Sequence, residues 1–79
     1  MALLEIDHFN KVTKDRSRVH EPADATFSII YEGDKKYLQI DTYGSADRQI
    51  KGKVSQSIQM DKEMAQRIVE ILKMEFYID

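Results

Sequence analysis

The chain has 79 residues, with 12 lysines and arginines against 14 aspartates and glutamates, for a formal net charge of −2. That length sets a single domain (1–79) whose own core is marginal, and that balance excludes a bulk attraction for polyanions, so any nucleic-acid site has to be local. Cysteine is absent, which excludes disulfides, thiolate metal sites and cysteine nucleophiles, and no apolar run has the length of a membrane span or the layout of a signal peptide, which points to the cytoplasm.

In chain order, the first segment is "LLEIDHFNKV", where Leu3, Leu4, Ile6, Phe9 and Val12 follow neither the helical nor the strand period; a strand is favoured over a short helix. A basic loop follows, carrying Lys11, Lys14, Arg16 and Arg18 and ending near Pro22, so residues 1–25 read as an N-terminal strand and loop. "TFSIIY" (26–31) and "KYLQIDTY" (36–43) are rich in β-branched and aromatic residues with period-two alternation, and Gly33 and Asp34 between them supply a tight turn. "KVSQSIQM" (53–60) alternates as well and reads as a further antiparallel strand. Residues 26–60 therefore form an antiparallel sheet. Parity sends Leu38, Ile40, Val54 and Ile58 to one face, and Tyr37, Gln39, Asp41 and Tyr43 to the other, with Ser55, Ser57 and Gln59 in a neighbouring row.

From Asp61 the apolar residues Met64, Ala65, Ile68, Val69, Ile71, Leu72 and Phe76 recur at three- and four-residue spacing, the signature of an amphipathic helix over 61–77. Asp61 is placed to cap it and Glu63 to complement its dipole. The predicted fold is thus α+β: a small antiparallel sheet of three or four strands packed on one C-terminal helix, with Ala65, Ile68, Val69 and Leu72 facing the sheet. The helix carries more apolar surface than so short a sheet can cover, which predicts a homodimer joined through Met64, Ile68, Ile71, Met74 and Phe76.

Catalytic chemistry finds little support. Ser17, His20 and Glu21 share a loop and His8 adjoins Asp7, but neither group has the context of a known nucleophile or base, and they read as surface residues. Two distant histidines without metal-ligand spacing, and three isolated turn glycines, predict no metal, no nucleotide loop and no cofactor. The chain reads as no enzyme. What remains is a platform: Tyr37 and Tyr43 on an open sheet face, with Lys35, Lys36, Arg48, Lys51 and Lys53 at its rims. Single-stranded nucleic acid is bound by this pairing of residue types, since bases stack on aromatic rings while cations hold the phosphates.

The run "IDTY" (40–43), then "KGK" (51–53), then "SIQMD" (57–61) before a capped helix resembles, over roughly residues 26–76, the positive cofactor four family of transcriptional coactivators, a single-stranded-DNA-binding type with small bacterial members. In that family a strand of the form I-[DR]-x-[YW] enters a basic, glycine-containing loop, and the domain dimerises through its helices with nucleic acid on the sheets. The resemblance implies a stacking role for Tyr43, phosphate contacts for Lys51 and Lys53, and hairpin cations in Lys35 and Lys36. Asp41 and Thr42 stand where the family often has an arginine, and "KGKVSQSI" is longer and more polar than its usual entry to the third strand. The competing expectation is a protein-interaction module or regulator that docks through the helix or a strand edge.

Overall fold

The computed structural model describes residues 1–44 and 53–79. Its elements are the strands β1 (Ala2–Leu4), β2 (Ala25–Glu32), β3 (Lys35–Tyr43) and β4 (Val54–Met60), a 3-10 turn at Ile6–His8, and the helix α1 (Lys62–Phe76). The strands form one sheet in the order β1-β4-β3-β2. This is the α+β architecture that the alternation and the helical period predict. It departs in one respect: β1 runs parallel to β4, with Leu4 beside Met60, so the sheet is mixed. Parallel neighbours need a long connection. Here the chain between them first crosses to the opposite edge through residues 5–24 and then returns through β2 and β3.

The hairpin follows from its turn. Glu32 pairs with Lys35, leaving Gly33 and Asp34 as a two-residue loop, and Gly33 takes φ 61°. A positive φ at the first central position alone is the form of a type II′ turn, whose twist matches that of the flanking strands. Pairing then sets the faces. Leu38 lies opposite Ile29 and Met60, and Ile40 opposite Phe27 and Ile58, so these residues share the face that α1 packs against. Asp61 caps α1 as its sequence position predicts, with its Oδ1 accepting from the Met64 amide at 2.9 Å.

Val54 does not join that face. The pairing of β3 with β4 shifts between Thr42 and Tyr43, so that Thr42 faces Gln56 while Tyr43 faces Val54 and Ser55 is surplus. Such a bulge turns the residue beyond it over. Val54 thus lies with Tyr43 on the face away from the helix, where strict alternation places it on the helix side.

The core is small. Among the described residues, Met60 and Met64 are the buried apolar ones, and Met64 is fully enclosed. Helix α1 lies against β3, β4 and the 3-10 turn, and its buried edge runs through Met64, with Ala65, Ile68 and Ile71 half-buried. Val69 and Leu72, expected in the core, are 48% and 40% exposed. On the β2 side, Phe27 and Tyr31 are 75% and 71% exposed. The helix covers one half of its sheet face and leaves the other half bare. No described helix is long and apolar enough to cross a membrane.

Candidate nucleic-acid interface

The face opposite α1 is built from alternate residues of three strands. β3 contributes Tyr37, Gln39, Asp41 and Tyr43, β4 contributes Ser57 and Gln59, and β2 contributes Thr26 and Ser28 as cross-strand partners of Asp41 and Gln39. Period-two alternation makes these positions polar in the sequence, and the same alternation brings them side by side.

Their side chains form one hydrogen-bonded chain. Gln59 Nε2 donates to Gln39 Oε1 at 2.8 Å. Gln39 Nε2 donates in turn to both carboxylate oxygens of Asp41, each at 3.1 Å, and the Ser57 hydroxyl donates to Asp41 Oδ1. All four side chains are half-buried. A depression of about 450 Å³ opens over them, flanked by Leu3 and Val54. Bonds of this kind fix the rotamers of otherwise mobile amides and present an ordered surface before any ligand arrives.

Tyr37 and Tyr43 both lie on this face and both are half-buried. The Tyr43 hydroxyl is 3.0 Å from Thr26 Oγ1, which anchors the ring across β3 towards β2. Tyr43 lies six positions beyond Tyr37, about 20 Å along a strand. They cannot stack on adjacent bases, and whatever spans them must pass over Gln39 and Asp41.

The cations divide. Lys35 has the parity of Tyr37 and Lys53 precedes β4, and both are exposed. Lys36 pairs with Tyr31 on the helix side of the sheet, with its ammonium 5.5 Å from the centre of that ring. The structure therefore separates Lys36 from the two tyrosines, because neighbours along a strand point to opposite sides. Arg48 and Lys51 lie outside the described residues.

The residues expected at a subunit contact divide as well. Met64 is spent inside the chain's own core and has no surface to offer a partner, Ile68 and Ile71 are half-buried, and Met74 and Phe76 are 71% and 65% exposed. The outer apolar stripe of α1 is instead Val69, Leu72 and Phe76. Sequence reasoning found the polar row by parity but not its internal bonding, since Ser57 and Gln39 meet Asp41 only through register. No family model, curated protein or solved structure gives a significant match to the chain.

Proposed function

We propose that this protein is a homodimeric domain that binds single-stranded nucleic acid across the sheet face opposite α1, as a binding module of the cytoplasm and not as an enzyme. The observation that carries the reading is the ordered polar row between Tyr37 and Tyr43, on a face that no described strand or helix covers. A flat, partly buried array of amide, hydroxyl and carboxylate groups suits base edges, and tyrosines at its two ends suit base planes. Lys35 and Lys53, joined on sequence grounds by Arg48 and Lys51, supply phosphate contacts, so most of the affinity depends little on base sequence. Lys36 takes no part in this reading, since it sits over Tyr31. The resemblance of "IDTY", "KGK" and "SIQMD" to the positive cofactor four family supports the same assignment.

The test is a fluorescence-polarisation titration with single- and double-stranded oligonucleotides at two salt concentrations. Single strands should bind more tightly, and their affinity should fall steeply with salt. Tyr43→Ala should weaken binding by about 1–3 kcal/mol with little change in the salt slope. Lys53→Ala should weaken all sequences alike and lower the slope by about one unit. If no single strand binds at low salt, the sheet face is not a nucleic-acid site. The bare half of the opposite face, with Phe27, Ile29 and Tyr31, would then favour a module that docks another protein.

A further inference from the structure

The row between the tyrosines has a directional hydrogen-bonding character. Donation runs from Gln59 to Gln39 and from Gln39 to Asp41, with the Ser57 hydroxyl donating to the same carboxylate. The donors are thus largely engaged within the network, while acceptors are left over. An ionised carboxylate offers about four acceptor positions, and the described groups direct two contacts to Asp41 Oδ1 and one to Oδ2. Gln59 Oε1 accepts from none of the described groups. Among the described groups the strip thus carries the Asp41 charge and more free acceptors than donors, a character that suits a ligand with adjacent N–H donors.

The four bases differ sharply on this criterion. Thymine presents one ring N–H between two carbonyl acceptors, and adenine and cytosine each present one amino group beside a ring acceptor. Guanine alone places a ring N–H and an amino group side by side, at the spacing of two carboxylate oxygens. Base edges are read in this way by paired side-chain acceptors and donors. Because Tyr37 and Tyr43 stand about 20 Å apart, bases of a bound strand must cross this strip, and Leu3 and Val54 beside it give such a base an apolar margin.

We propose that Asp41, held by Ser57 and Gln39, is a guanine-reading subsite that adds a base preference to the otherwise sequence-tolerant binding of single strands. The inference rests on the single-strand reading above. Asp41 takes the guanine ring N–H and amino group on its two oxygens, with Gln39 yielding one of its two contacts, and Gln59 Oε1 is the next acceptor along the row.

The experiment compares oligothymidine with the same strand carrying isolated guanines, too sparse to form quadruplexes, by fluorescence polarisation with the intact protein. The guanine strand should bind about tenfold more tightly, within the range of a bidentate base contact. Deoxyinosine in place of guanine lacks the amino group and should lose most of that gain, whereas 7-deazaguanine, altered only on the far edge, should keep it. Asp41→Asn should abolish the preference, so that within the variant the guanine strand and oligothymidine bind with equal affinity. Equal affinity for the thymine and guanine strands, or deoxyinosine equal to guanine, overturns the subsite. Both of those comparisons use the unaltered chain and so hold even if Asp41→Asn fails to fold. If oligothymidine binds and guanine adds nothing, the single-strand reading survives and the subsite alone falls; if no strand binds at low salt, both fall.

Discussion

Gly33 at φ 61° and Tyr77 at φ 53° are the two left-handed positions among the described residues. At Gly33 a Cβ would meet nothing within 4 Å, so the requirement for glycine there is one of backbone conformation and not of space. Gly33→Ala should cost about 1–2 kcal/mol in denaturant unfolding, the penalty of holding an L residue in that region. A neutral result would mean that the turn changes type at no cost. Tyr77 has the opposite balance. It ends α1, the Ile78 amide donates to the Lys73 carbonyl at 3.2 Å, and the ring is 92% exposed. Its side chain gains almost nothing for the strain it carries, and glycine is the usual residue at such helix ends. Tyr77→Gly should therefore stabilise the protein by about 0.5–1 kcal/mol, measured in the same unfolding assay. A loss of stability would instead indicate a contact for the ring in an assembly.

At the scale of elements, the helix and the hairpin carry strong local signals and the other features do not. The period of α1 repeats over 15 residues, and Asp61 sits where a cap is needed, so Asp61→Ala should cost about 1 kcal/mol in thermal unfolding as the Met64 amide loses its acceptor. An unchanged melting temperature would show that solvent replaces the cap fully. The faces of β3 are legible for the same reason, because Leu38 and Ile40 alternate with Tyr37, Gln39 and Asp41 through the middle of the strand. β1 was hard to read because three residues are too few to display a period, and its partner β4 is more than fifty positions away. Val54 departs from strict parity for a subtler reason: the alternation of "KVSQSIQM" continues through Ser55, whereas the pairing skips it. A bulge shifts register without marking composition. The hydrogen bonds from Gln39 and Ser57 to Asp41 lie beyond sequence reasoning in the same way, since they depend on which residues of β3 and β4 end opposite one another.

For the whole molecule, surface area bears on the number of chains. A compact monomer of 9.2 kDa would expose about 4,900 Å², whereas this chain exposes 7639 Å². Its radius of gyration is 14.8 Å, against about 12 Å for a compact domain of this length. The exposed segment 9–24, the bare half-sheet under Phe27, Ile29 and Tyr31 and the outer stripe of α1 all contribute to the excess. Those two surfaces are both apolar and lie on one chain, so a two-fold pair can place each helix stripe on the other's half-sheet and close two cores at once. Phe27→Lys separates this arrangement from a lone chain. At a site 75% exposed, a monomer should tolerate the substitution within about 0.5 kcal/mol. In a dimer that buries Phe27, a desolvated lysine should dissociate the pair and lower stability by more than about 2 kcal/mol. Sedimentation equilibrium of both proteins reads the first effect, and unfolding at several protein concentrations reads the second, because a dimer's melting temperature rises with concentration. A wild-type chain that sediments as a monomer, melts independently of concentration and accepts lysine at position 27 would remove the two-fold pair and leave the half-sheet as open surface.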